Sequence, residues 1–109
     1  GAVGVPDCGA DGTPHPVPHI GWNTLAPGAA GWAGSVLADL TPEDAVYFVH
    51  SFAAAPTKPE NVLATCDYDG RTLTAAVIRD NITGVQFHPE KSGPVGQKIL
   101  RTFIGMAAA

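Results

Sequence analysis

Basic residues are scarce in this chain. Six Lys and Arg stand against ten Asp and Glu in 109 residues, a formal net charge of −4. With no basic cluster, no nucleic-acid partner is expected. Cysteine is almost absent too: Cys8 and Cys66 have no Cys-x-x-Cys spacing and are too few for a disulfide framework. Free thiols in a reducing compartment, and so a cytoplasmic location, are the simplest expectation. No apolar run approaches the roughly 20 residues that a membrane span needs. No basic stretch followed by an apolar one precedes the body of the chain, so no secretion signal is visible. His15, His19 and His50 are scattered and form no second cluster beside His88, which argues against zinc. No metal, cofactor or membrane partner is expected, and no internal repeat is visible.

Glycine and proline are plentiful, at 13 and 10, mostly in the first third and in loops. One compact domain at most fits this length. Residues 1–16 read as an extended or flexible lead-in rich in proline and glycine, and residues 17–109 as the folded part. Residues 19–25 suggest a short strand or turn, 26–34 a small flexible stretch and 35–40 one helical turn. Thr41-Pro42-Glu43-Asp44 has the look of a helix cap with proline at the first helical position. Ala45-Val46-Tyr47-Phe48-Val49-His50-Ser51 is the clearest early strand. Residues 62–68 and 72–79 predict a hairpin turning at Asp69-Gly70. A further strand follows over 82–87, and apolar residues at helical spacing predict an amphipathic helix over 94–106. Four strands and one good helix make about half of an open α/β layer, which needs helices on both faces.

The chemistry concentrates in Gly84-Val85-Gln86-Phe87-His88-Pro89-Glu90-Lys91-Ser92-Gly93. A buried strand that stops at a proline sets an imidazole and a carboxylate just beyond its end, where open α/β sheets place catalytic groups. Positions two apart in extended chain point to one side. Glu90 can therefore hold the His88 ring in one tautomer and stabilise the imidazolium formed when the other nitrogen takes a proton. The bland alternative is a surface His and Glu flanking a turn. His50 and Ser51 end the other strong strand, either as strand-end packing or as a second wall of one pocket. Cys66 lies mid-strand beside Asp67 and Cys8 has no helix to follow, so neither reads as an activated nucleophile. Trp22 and Asn23 are loop anchors or an interface. Lys91-Ser92-Gly93 reads as a polar turn before the last helix.

Three segments in order carry a resemblance: Val17-Pro18-His19-Ile20-Gly21-Trp22-Asn23, Val46-Tyr47-Phe48-Val49-His50-Ser51-Phe52, and the Phe-His-Pro-Glu segment with Gly96 leading into the last helix. Over roughly residues 17–106 the chain resembles the C-terminal half of the glutaminase subunits of imidazole glycerol phosphate synthases, within the class I glutamine amidotransferase family. The resemblance implies an α/β fold that is the C-terminal half of an open mixed sheet. It implies His88 as triad base, Glu90 as its orienting carboxylate, and His50, Ser51 and Phe52 as the strand end bordering bound glutamine. The family usually has tyrosine where Phe52 stands, so a hydroxyl contact is lost while the ring wall persists. Trp22, Asn23 and Tyr47 match the face that docks on the cyclase barrel subunit of histidine biosynthesis. The reaction implied is hydrolysis of glutamine to glutamate and ammonia through a cysteine thioester.

The family's N-terminal half carries the first strands, the oxyanion loop and the Gly-x-Cys-x-Gly elbow, and none of these stands in the sequence given. Two readings follow: the base half of a cysteine glutaminase that needs the missing half, with essentially no turnover alone, or a non-catalytic module that docks on a partner.

Overall fold

Residues 2–108 are described in the computed structural model, and the strongest local signal of the sequence sets its largest sheet. The chain runs through β1 (Ala2–Gly4), β2 (His19–Thr24), β3 (Ala26–Pro27), β4 (Ala45–His50), β5 (Phe52–Ala54), β6 (Val62–Tyr68), β7 (Arg71–Arg79), β8 (Ile82–Val85) and one long helix, α1 (Gly93–Ala108). Asp69 and Gly70, at φ 50° and 83°, turn β6 into β7. Positive φ at both central residues matches the right-handed twist of the flanking strands, and Asp and Gly tolerate it. The four-stranded sheet runs β3-β6-β7-β8, beside two-stranded sheets β2-β4 and β1-β5. Every pairing among the described residues is antiparallel and no sheet closes into a barrel.

Strand β4 alternates as a half-buried strand must. Val46, Phe48 and His50 point inward, while Tyr47 and Val49 point out. Phe48 is fully buried and meets the Phe87 ring edge-on, with centroids 5.9 Å apart at 72°. Leu37, Leu63, Ala64, Ala75 and Ile99 complete the core around them. This edge-on pair ties the chain after β8 to β4.

Three expectations are corrected. Residues 35–40 form successive tight turns, not a helical turn: Ser35, Ala38 and Leu40 donate to Trp32, Ser35 and Leu37. The Ser35 hydroxyl donates to the Trp32 carbonyl and accepts from the Leu37 N–H, competing with helical bonds. Pro42 then disfavours helical geometry at Thr41. The Thr41–Asp44 cap starts no helix either. Thr41 N–H donates to the Asp44 carboxylate at 3.0 Å and Asp44 N–H to the Thr41 carbonyl at 3.1 Å, closing a turn directly into β4. The last strand stops at Val85, although Gln86 N–H still reaches the Ala75 carbonyl at 2.8 Å. Within the lead-in, β1 pairs with β5, Val5 is buried, and Ala10 N–H donates to the Asp69 carbonyl at 2.8 Å.

An imidazole-rich column fills one side of the core. His15 stacks on Tyr68 at 4.0 Å, Tyr68 on His19 at 4.2 Å, and His19 on Phe48 at 4.8 Å. His19 and His50 are cross-strand partners, both buried, with Nδ1 of His19 2.8 Å from Nε2 of His50. His50 Nδ1 lies 2.9 Å from the Phe52 carbonyl, which can only accept, so Nδ1 carries the proton. Neutral His50 then accepts from His19 Nδ1–H. Two protonated rings would set N–H against N–H. Burial, reinforced by His50 and His15, pushes His19 down to about 4, and burial lowers His50 as well.

Helix α1 begins where the Ser92 carbonyl accepts from Gly96 N–H at 3.2 Å. A Cβ built on Gly96 would lie 1.8 Å from the Pro89 carbonyl oxygen, so no larger residue fits beneath this turn. Lys98 and Thr102 tie the helix to Asp44 and Asp39, at 3.0 and 3.3 Å. Ile99 is buried, but Leu100, Phe103, Ile104 and Met106 are exposed.

Two outcomes are expected. Unfolded histidines bind protons before the buried pair does, so stability is complete above the ordinary value of 6.5 and falls as pH drops toward about 4. Asp44, lowered from 3.8 chiefly by its hydrogen bonds with Thr41 and Lys98, adds its loss only below that window. Urea midpoints measured from pH 7 to 4.5 should therefore decline, and a flat profile would contradict the neutral pair. Gly96→Ala should cost about 1–3 kcal/mol in urea unfolding through overpacking at Pro89, and an unchanged midpoint would refute the close approach.

Candidate functional site

His88 enters the site from a strand that has just ended. Phe87 points into the core, so the next residue turns outward. Pro89 then opens a single 3-10 turn over Pro89–Lys91, with its fixed φ suited to the first position. That turn carries Glu90 back beneath the imidazole. His88 Nδ1 stands 2.9 Å from Glu90 Oε1, with the two side chains 40% and 58% exposed. The contact is therefore accessible to solvent and to a second chain. An ionised carboxylate only accepts, so Nδ1 carries the ring proton and Nε2 presents its lone pair. Nε2 has no hydrogen-bond partner among the described residues. One nitrogen is oriented and the other is open, an arrangement that can accept a proton.

The backbone fixes this pair to β4. His88 N–H donates to the Tyr47 carbonyl at 2.9 Å. Tyr47 N–H donates to Ser92 Oγ at 3.0 Å, and Ser92 Oγ–H donates to the His88 carbonyl at 2.6 Å. Ser92 is 1% exposed. Sequence reasoning read Ser92 only as part of a polar turn. Serine just before a helix suggests a cap, but this hydroxyl bonds Tyr47 and His88 instead, so no local signal marks its role.

The other candidates are divided between places. His50 ends β4 three residues beyond Tyr47, but its ring is buried against His19 and both ring nitrogens are engaged inside the fold. Ser51 offers its carbonyl to Val5 N–H at 2.8 Å. Phe52 lies in β5, paired with Gly4, and is 64% exposed. Trp22 and Tyr47 are register partners on the outward face of β2-β4, their rings edge-on at 5.7 Å. Ile20 and Val49, also register partners, extend this exposed apolar face. Asn23 faces the other way and donates from Nδ2 to the Asp67 carbonyl at 2.7 Å, joining β2 to β6.

Neither thiol is placed for nucleophilic work. Cys66 is buried mid-β6, and burial together with Asp67 pushes it up to about 11. The Cys8 sulfur accepts from Arg71 Nη2 at 3.4 Å, at the far end of the β6-β7 hairpin. Among the described residues no group of three or more His, Cys, Asp or Glu is arranged to hold a metal ion. No helix there is long and apolar enough to cross a membrane.

Residues 7–106 match the family described as Glutamine amidotransferase class-I. The chain is 45% identical over 104 residues to imidazole glycerol phosphate synthase subunit HisH 1 of Legionella pneumophila (strain Lens), covering 94% of this chain and 49% of that protein. It is 48% identical over 96 residues to the HisH subunit of Geobacillus thermodenitrificans (strain NG80-2), covering 88% and 43%. The Synechocystis HisH subunit gives 43% over 95 residues, covering 84% and 43%. The chain thus spans a little under half the length of these curated relatives. With this match and the ordered His-Pro-Glu turn together, the chain belongs to the class I glutamine amidotransferase family.

Proposed function

We propose that this chain is the C-terminal part of a glutaminase subunit of imidazole glycerol phosphate synthase, supplying the base half of a cysteine glutaminase. His88 takes the proton of a thiol held on the N-terminal half of the same domain, and Glu90 holds the ring and offsets its positive charge. The thiolate attacks the glutamine carboxamide, His88 protonates the leaving ammonia, and water then releases glutamate from the thioester. The single observation carrying this reading is the 2.9 Å His88–Glu90 contact with Nε2 left open. Phe52 and Ser51, at the end of the β4 region, form a wall of the glutamine pocket. His50 supports that wall from inside the core through the Phe52 carbonyl. The ammonia passes to a cyclase barrel subunit in histidine biosynthesis, a cytoplasmic pathway needing no cofactor in this half.

A second reading, docking without catalysis, is favoured by one observation: Ile20, Trp22, Tyr47 and Val49 make a continuous outward apolar face on β2-β4. Aromatic residues in such a patch anchor protein partners. Asn23 contributes by holding β2 onto β6.

Two measurements separate the readings. Supplied in trans with the N-terminal half of a relative, the chain should release glutamate from glutamine, and His88→Ala should lower kcat by about 100- to 10,000-fold. Assembly with release unchanged by that substitution would refute the catalytic reading. In a pull-down of the cyclase subunit, Trp22→Ala should weaken capture about tenfold or more. Equal capture by the variant would remove the docking face.

A further inference from the structure

The His88 main chain is held on both sides, and one of its restraints is not a backbone bond. Of its two links to Tyr47, one is a direct backbone bond, from His88 N–H to the Tyr47 carbonyl at 2.9 Å. The other is relayed. Tyr47 N–H stops at Ser92 Oγ at 3.0 Å, and that hydroxyl passes its own proton to the His88 carbonyl at 2.6 Å. The direction is forced, because an amide N–H only donates and a carbonyl only accepts. A hydroxyl, with one proton and two lone pairs, fits between them, whereas a methyl group leaves the Tyr47 N–H short and takes one of two donors from the His88 carbonyl.

We infer that Ser92 is the positioning residue of the His88–Glu90 pair, its hydroxyl setting the turn that brings the Glu90 carboxylate under His88 Nδ1. The inference rests on the reading of His88 as a base. Four features of the site converge on it. Ser92 is 1% exposed, so no water replaces a lost hydroxyl without the turn opening. Its N–H donates to the Pro89 carbonyl at 3.1 Å and closes the turn carrying Glu90, while its own carbonyl accepts from Gly96 N–H and opens α1. Lys91 N–H also donates to the His88 carbonyl, at 3.0 Å, which leaves a weaker restraint once the hydroxyl is gone. His88 and Glu90 are themselves half open to solvent, so their mutual contact does not enforce the turn.

The test reads the ring first and turnover second. Long-range nitrogen–proton NMR on the 109-residue chain should show His88 in the Nδ1–H tautomer. Ser92→Ala should move both ring nitrogens toward the average of two tautomers and lose the Nδ1–H signal bonded to Glu90. Ser92→Cys, which keeps the volume and a weak donor, should fall between and decides the question if the alanine variant does not fold. Val36→Ala, buried in the 35–40 turns, serves as a destabilised control and should leave the His88 signals in place. In the reconstituted assay, Ser92→Ala should lower kcat about 10- to 100-fold with KM within about twofold. A folded Ser92 variant with the wild-type ring spectrum would overturn the inference. So would a control that shifts the ring as much as Ser92→Ala does. If the ring responds as expected but the unsubstituted assembly releases no glutamate, the positioning role stands and the glutaminase reading falls.

Discussion

The His88 segment is sewn to the edge of β4 through Tyr47, and the organisation of the candidate site depends on that seam. Phe87 supplies its buried half by meeting Phe48 edge-on, and the Tyr47 main chain supplies its polar half. Neither half suffices alone. An aromatic contact fixes where the strand end lies but leaves the following turn free to rotate. Hydrogen bonds fix rotation, yet gain little unless the surrounding core excludes water. Together they place an imidazole outside the core while its backbone stays inside. That combination suits a group that must be rigid and reachable.

Much of this was legible in the residues. Asp69-Gly70 forces a hairpin because both residues accept positive φ, and the alternation of Val46, Phe48 and His50 fixes which face of β4 is buried. His88-Pro89-Glu90 is short-range as well, since two residues joined through a proline can hardly avoid each other. What escaped the sequence lay in contacts distant along the chain. Ser92 meets Tyr47 across 45 positions, and nothing in its neighbours reveals that partner. Ser35 and Pro42 turn the single helical turn expected over 35–40 into successive tight turns by local competition for the backbone. Trp22 and Asn23, adjacent in sequence, were read as one surface, although strand alternation places them on opposite faces.

The buried histidines show how a polar side chain can serve as core material. His19 and His50 are held neutral because each ring nitrogen that needs a partner has one, and because aromatic rings cover His19 on both faces. Their cost is confined to acid. At neutral pH they behave as shaped, hydrogen-bonded packing that aligns β2 with β4. The apolar outer face of those strands and the exposed helix residues Leu100, Phe103 and Ile104 remain uncovered in the chain by itself. That fits its spanning about half of its relatives' length.

The two tryptophans divide between these regions, and that gives the molecule two built-in optical gauges. Trp32 is partly buried, with its indole N–H bonded to the Leu63 carbonyl at 3.0 Å, so its emission follows the integrity of the interior. Trp22 stands 58% exposed on the outer strand face, where a dry neighbour would shift its emission to the blue without any change in the interior. Replacing either one by phenylalanine isolates the other. Fluorescence of this chain can then distinguish complex formation from unfolding in a single cuvette.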